Sequence, residues 1–389
     1  MQIYLDYSAT TAPRPEIVSL IQEMLTQQWG NPSSLHHWGQ RAANVLERAR
    51  IQVASLIHAP NPESIIFTSG GTEADNLAIF GITQRYKVPQ HLIISSVEHS
   101  AVAEPARRLE ERGWQVTRLP VNRQGRVNPL DLKAALQGNT VLVSVIYGQS
   151  EVGTLQPIAE LAPIARARGV LFHTDAVQVA GRLPLDVQSL PIDLLSLSGH
   201  KIYGTQGAGA LYLREGVELL PMLAGGGQEW QLRSGTQAVP AIAAFGLAAS
   251  LAAAEMSRET PRLIRLRDHL FDLLERCTYL QPTGDRHDRL PHHLSFLIDN
   301  GYGGESISGR ALVRQLNYAG IGISAGSACN SGKLAPNPVL LAMGYRETEA
   351  VGGIRLTLGR DTTEADIDWT AMVINQVLER LMPRLLTVT

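Results

Sequence analysis

The chain has 389 residues, 44% of them apolar, which is long enough for a large and a small lobe with separate cores. Its 34 basic and 36 acidic residues leave a net charge of −2, which argues against nucleic acid or an anionic membrane as the principal partner. Two cysteines exclude a disulfide framework and fit a reducing, cytoplasmic compartment.

The opening, MQIYLDYSATT, has no basic flank and no apolar run, so it does not read as a secretory signal. Ile3 to Asp6 reads as a short strand, Thr10 to Pro15 as a turn-rich connection and Pro15 to Gln27 as a helix. Gly30 to Ser34 is a loop of turn-forming residues, and His36-His37 beside Trp38 carries no assignable role. Ala42, Val45, Leu46, Ala49, Val53 and Leu56 recur at helical spacing, predicting an amphipathic helix from Gly39 to Ile57. The strand Ile65–Thr68 enters Ser69-Gly70-Gly71-Thr72-Glu73 and then a helix. Such a turn presents backbone N–H groups at a positive helix end and suits a phosphate.

Further strands are predicted at Leu92–Ser95, with Glu98-His99 following at a helix start, and at Gln115–Val121, Val141–Ile146, Val170–Phe172, Leu194–Leu197 and Gly209–Leu213. Helices lie between most of them. The alternation predicts an α/β fold: a large domain with a mostly parallel sheet covered by helices. Arg107-Arg108 with Glu110-Glu111 reads as a solvated helix face.

After the glycine-rich stretch Gly225 to Gly235, two helices are expected, Pro240–Met256 and Pro261–Cys277. The alanine-rich Ala238–Met256 reads as a buried helix and not a membrane span. Short strands follow at Leu294–Ile298, Ile321–Ser324 and Ile354–Leu358. The last helix, Thr363–Met382, opens on a Thr363/Asp366 capping pattern. The shift in composition near Arg258–Pro261 suggests a large domain at 16–258 and a smaller α+β domain at 259–389, with segment 1–15 packing on the latter. His287, His292 and His293 lack ligand spacing and read as a polar loop, so no metal is expected.

Two predicted strand ends carry chemistry. Val170-Leu171-Phe172 leads to Asp175, and the apolar run ending at Leu197 leads to Ser198-Gly199-His200-Lys201. In α/β sheets, sites gather at the carboxyl ends of strands. An acid and a lysine there are the pairing that pyridoxal phosphate (PLP) needs, the lysine as Schiff-base former and the acid against the ring nitrogen. Burial would lower the pKa of Lys201 and free its amine. Cys329 lies in a run of small polar residues, Ser324 to Gly332, that cannot build a core, and reads as an exposed nucleophilic thiol. Cys277, beside Leu273 and Leu274, reads as packing.

With Asp-Ala-Val-Gln at 175–178, Ser-Gly-His-Lys at 198–201 and Gly-Ser-Ala-Cys at 326–329, the chain resembles the cysteine desulfurases of the NifS and IscS type. These are class V members of the fold-type I PLP enzymes. The resemblance runs from Leu5-Asp6-Tyr7 to Leu358-Gly359-Arg360. It implies cofactor contacts from Lys201, Asp175 and Gln178, the last to the phenolic oxygen. It implies a phosphate cradle of Gly71, Thr72, Ser198 and His200. Thr236 matches a position that reaches the phosphate of the other subunit, which implies a homodimer. His99 is implied to stack on the ring and move protons, and Arg355 to fork onto the substrate carboxylate, with Arg360 ranked second.

The activity implied is conversion of L-cysteine to L-alanine, with sulfur held as a Cys329 persulfide and passed to an iron–sulfur scaffold or a thiolation protein. Transient iron–sulfur cluster ligation by Cys329 is a further implication. A transaminase, a C–S lyase releasing sulfide, and a weakly active scaffold or regulatory paralogue stay open. One departure stands out: Gln149-Ser150-Glu151 replaces the family's Asn-Asn-Glu. Ser150 falls on the cofactor-contacting position. Its shorter side chain leaves that hydrogen bond lost, bridged by water, or supplied by Gln149, a change of about 0.5–1.5 kcal/mol.

Overall fold

The computed structural model describes residues 2–299, 307–326 and 335–382; Cys329 lies outside them. The chain opens with strand β1 (Ile3–Tyr4). Seven strands then form the main sheet: β2 (Ile65–Thr68), β3 (His91–Ser95), β4 (Gln115–Leu119), β5 (Thr140–Ser144), β6 (Leu171–Asp175), β7 (Leu194–Ser198) and β8 (Gly209–Leu213). Their order is β2-β8-β7-β6-β5-β3-β4. The β3–β7 pairs and β4 run parallel, and β8 is antiparallel to both β2 and β7.

Near-continuous apolar runs make strands of this kind because both sheet faces are covered. Ile66, Leu92, Ile94, Leu142 and Leu194 pack on one side, under the helices Gly71–Thr83 and Ser100–Glu110. Their strand neighbours Phe67, Ile93, Val143 and Leu195 pack on the other, under His37–Leu56 and Val239–Leu274. Adjacent residues thus alternate between the two cores, as the strand period of two requires.

A second sheet follows: β9 (Leu280–Pro282), β10 (His293–Ile298) and β12 (Gly353–Thr357), all antiparallel in the order β12-β10-β9. Strand β11 (Ile321–Gly322) pairs with β1, and Asp6 bridges to Thr357. The N-terminal segment therefore joins the third core, with Ile3 and Leu5 among Phe296, Leu356 and the helices Gly309–Tyr318 and Glu364–Leu381. Thr363 caps the last helix, and Asp366 completes a capping box.

Two sequence readings are corrected. The helices expected at 240–256 and 261–277 are one continuous helix, Val239–Leu274, with Pro261 inside it. Proline costs this helix one backbone bond, but tertiary bonds hold both flanks. Thr260 Oγ1 donates to Arg182 O at 2.6 Å, and the Arg262 guanidinium donates to the carbonyls of Gly359, Arg360 and Thr362. The helix changes core along its length: Phe245 and Ala248 belong to the main-sheet core, Leu270 and Phe271 to the third. Among the described residues it is the one helix long and apolar enough to cross a membrane. Second, His292 and His293 are not in a polar loop. Both are buried, and His293 begins β10.

Candidate active site

Four main-sheet strands deliver site residues from their carboxyl ends, where parallel strands leave a crevice. β2 leads to Gly71 and Thr72, β3 to His99, β6 ends at Asp175, and β7 ends at Ser198 and continues to His200 and Lys201. Ser8 and Ala9 arrive from the N-terminal segment, and Arg355 from β12. Together with Ser150, Glu151, Gln178 and Asp75 they line a cavity of about 360 Å³. Among the described residues, every site residue expected from the sequence lines it except Thr236, which is exposed; Cys329 falls outside the described residues. Arg360 lies outside it, its backbone N–H donating to the Tyr203 hydroxyl.

Lys201 Nζ donates to Ser8 O at 2.6 Å and Ala9 O at 2.8 Å. Burial, followed by the Arg182 and Arg355 cations, pulls its pKa down to about 8, against the opposing Asp175 and Asp6 carboxylates. Burial raises the carboxyl pKa of Asp175, while His99, the Val177 N–H and Lys201 oppose the rise. Its Oδ1 accepts from Val177 N at 2.9 Å. Behind it, Asp75 is fully buried and raised further, by burial and then by Asp175. One ring nitrogen of His99 and one carboxylate oxygen each of Asp75 and Asp175 lie within 4.8 Å of one another. Glu98, half-buried beside His99, is pushed up to about 8 by desolvation.

His99 is both a helix cap and a cavity residue. Its Nδ1 accepts from Ala101 N at 3.1 Å, so the neutral ring carries its proton on Nε2. His200 Nδ1 bonds Thr10 Oγ1 at 3.0 Å, and burial takes its pKa down to about 4, leaving a neutral ring. Gln178 Nε2 donates to Ser8 O at 2.9 Å, while its Oε1 and the Ser198 hydroxyl are buried without partners. Gly71 is required by space: a Cβ there would sit 2.8 Å from Val177 Cγ2.

Arg355 is held ready-forked. One amino group meets Asp6 Oδ1 at 2.9 Å; the other meets Glu151 Oε1 at 2.7 Å and Ser150 O at 3.1 Å. Gln149, the sequence alternative for the contact that Ser150 cannot make, is committed elsewhere. Its amide donates to Val97 O and accepts from the Glu151 and Val152 N–H groups, building the turn, and it does not line the cavity.

Sequence reasoning missed Asp6, Ser8, Ala9, Asp75 and Glu151. Asp75 had a signal, since it lies one helical turn beyond Thr72, whereas Ser8 and Ala9 meet Lys201 only through a contact spanning more than 190 residues.

The profile of the family described as Aminotransferase class-V matches residues 3–369. The chain belongs to this family. Among its relatives, "Cysteine desulfurase IscS" of Dictyoglomus turgidum is 42% identical over 382 residues, 98% of this chain and 95% of the relative. The protein of the same name from Methanosarcina thermophila is 41% identical over 380 residues, 97% and 92% of the two chains. Among solved structures, a NifS-like protein superposes with a TM-score of 0.90 at 32% identity, covering 98% of this chain and all of the other. A structure described as SspA in complex with cysteine gives 0.79 at 32% identity, covering 92% of this chain and 99% of the other.

The family's cofactor is PLP, and the cavity fits it. A lysine amine and a carboxyl face one space. The unpaired Ser198 hydroxyl and the N-terminus of the Gly71–Thr83 helix offer donors to a phosphate, and the close approach at Gly71 leaves the backbone exposed to it.

Proposed function

We propose that the chain is a PLP-dependent L-cysteine desulfurase that yields L-alanine and leaves the sulfur as a persulfide on Cys329. The observation that carries this reading is the Lys201 amine, drawn down to about 8 inside a cavity that also holds Asp175 and Arg355. When bound, PLP supplies an aldehyde for an amine and a ring that accepts the electrons of a Cα carbanion.

Lys201 Nζ is the amine that would hold that aldehyde and, once freed, would serve as the base for the Cα proton. The Asp175 carboxylate serves the protonated ring nitrogen. Gly71, Thr72, Ser198 and His200 serve the phosphate, and Gln178 the phenolic oxygen. Arg355 exchanges Asp6 or Glu151 for the cysteine carboxylate and keeps its forked geometry. His99, whose Nδ1 is held by the Ala101 N–H, would use Nε2 to give a proton to, or take one from, the bound substrate. The Cys329 thiolate attacks the substrate sulfur: an S–S bond forms, the C–S bond breaks with its electrons left on carbon, and that carbon takes a proton to become the alanine methyl. The persulfide then passes to an acceptor protein, an iron–sulfur scaffold or a thiolation protein, in the cytoplasm.

The functional unit in this reading is a homodimer, with Thr236 of each copy serving the other's phosphate. Thr236 is exposed and does not line its own cavity, and the exposed Trp29, Leu35 and Trp38 offer an apolar surface for a second copy. The test is alanine production from L-cysteine by the purified protein. Cys329→Ala abolishes it and leaves the absorbance of the lysine-bound cofactor, whereas Lys201→Ala removes both. Undiminished alanine formation by Cys329→Ala would overturn the persulfide step.

A further inference from the structure

Directly behind Lys201 lies a cation that the chemistry above does not use. Arg182 is buried, and desolvation pulls its pKa down to about 10 against the Tyr203 phenol; the Glu255 and Glu259 carboxylates that share its cavity are paired with Arg14 and Arg262 instead. The Arg182 guanidinium donates to two backbone carbonyls, Gln178 O at 3.2 Å and Lys201 O at 2.9 Å. These belong to two residues of the candidate site. Its own carbonyl accepts from Thr260 Oγ1, so the arginine is tied to the long helix as well. Gly181 makes the approach possible. Its φ is +71°, and a Cβ there would lie 2.8 Å from Ile202 Cγ2 and 3.0 Å from Ala252 Cβ. Arg182 and Lys201 also line a second, small cavity with Arg14, Tyr203, Glu255, Glu259 and Arg360, and Lys201 alone is common to it and the substrate cavity.

A buried guanidinium without a counter-ion is an unfavourable arrangement for packing alone, because desolvation is uncompensated. Two neutral hydrogen bonds to carbonyls could be made by an uncharged side chain. What the charge adds is a field on the neighbouring amine. Lys201 is faced by Arg182 and Arg355, which disfavour its ammonium form, and by Asp175 and Asp6, which favour it; neutral His200 lies beside it. Arg355 is largely offset by its own bonds to Asp6 and Glu151. Arg182 has no such offset, and it ranks ahead of Arg355 in its action on the amine.

We propose that Arg182 is a positioning residue for Lys201. Its uncompensated buried charge holds the Gln178 and Lys201 backbones from behind and disfavours a second positive charge at Nζ, keeping the amine ready to add to an aldehyde. This rests on Lys201 being the cofactor lysine, which the same experiment checks separately.

The protein stripped of cofactor is mixed with PLP across a pH series, quenched with borohydride, and the modified residue is identified by mass spectrometry. Modification at Lys201 tests the assignment of the lysine; the pH midpoint of the capture rate tests the role of Arg182. The unaltered protein should show a midpoint near 8. Arg182→Gln, which keeps donors but no charge, should raise the midpoint by about one pH unit, a roughly tenfold slower capture at pH 7. Arg182→Lys should stay near the unaltered midpoint even where thermal stability falls. A common midpoint for all three proteins, or an equal shift in both variants, would overturn the proposal. So would an unaltered protein whose Lys201 titrates like an ordinary lysine, a result that does not depend on either variant folding.

Discussion

Burial acts on Lys201 and Asp175 alike and drives both toward their neutral forms: the amine pKa falls and the carboxyl pKa rises. For the lysine that is activation. For the acid it is a state that a protonated ring nitrogen would reverse by restoring an opposite charge. Arg355 differs, because its charge is stabilised by two carboxylates. Arg355→Lys cannot span Asp6 and Glu151 together. It should cost about 2 kcal/mol of stability in urea titrations and raise the KM for cysteine about tenfold or more, with a smaller change in kcat. At Ser150 the backbone carbonyl already accepts from Arg355 and His293, so the short side chain is the free variable. Ser150→Asn restores a longer donor facing the cavity. It should lower KM by about threefold to tenfold with kcat nearly unchanged; an unaltered KM would show that the shorter side chain has no cost for binding.

At the scale of elements, the long helix Val239–Leu274 ties the cores together. It packs closely on the helix His37–Leu56 at Gly246, where a Cβ would lie 2.5 Å from Ala49 Cα. Both contacting atoms are on helical backbones, so neither can move alone. Gly246→Ala should therefore destabilise the protein by about 1–3 kcal/mol in chemical denaturation, despite alanine's better helix propensity. A stabilised variant would show that the helices separate freely. The strand ends matter in the same way. Because β2, β3, β6 and β7 open toward one edge, short turns suffice to place Gly71, His99, Asp175 and Lys201 around one space.

Across the whole molecule, burial sets how stability changes with pH. His173 is held near 3 by burial, and His292 and His293 lie well below the usual histidine value. Their contribution to stability is complete above about 6.5 and is lost as pH falls toward the folded values, because unfolding then takes up protons. Glu98, folded value about 8, and the raised Asp75 and Asp175 have the opposite sign. Their contribution is complete below their unfolded values and is lost as pH rises. Between about 4.5 and 6.5 the two sets oppose. Only below about 3.8, the unfolded value of the two aspartates, do the histidines act alone among these groups, each worth about 1.4 kcal/mol per pH unit. Urea midpoints should therefore change little from pH 6.5 to 4.5 and fall most steeply below about 3.8; a uniform slope would contradict the buried neutral histidines.

The sequence by itself determined the strand–helix alternation, the glycine turn at 70–71, and the placement of Asp175 and Lys201 at strand ends. Each is written in local apolar period and turn chemistry, which a short stretch of chain carries whole. Helix caps such as Thr363 were legible for the same reason. Only the tertiary structure decided the rest. Pro261 stays helical because Thr260 and Arg262 are bonded to distant carbonyls. His292 and His293 are buried because β10 enters a core that no local pattern announces. Ser8 and Ala9 cover Lys201, Asp6 and Glu151 brace Arg355, and Arg182 stands uncompensated behind the lysine. Those are contacts across most of the chain, and the charge state of a buried group follows from who surrounds it, which sequence order does not contain.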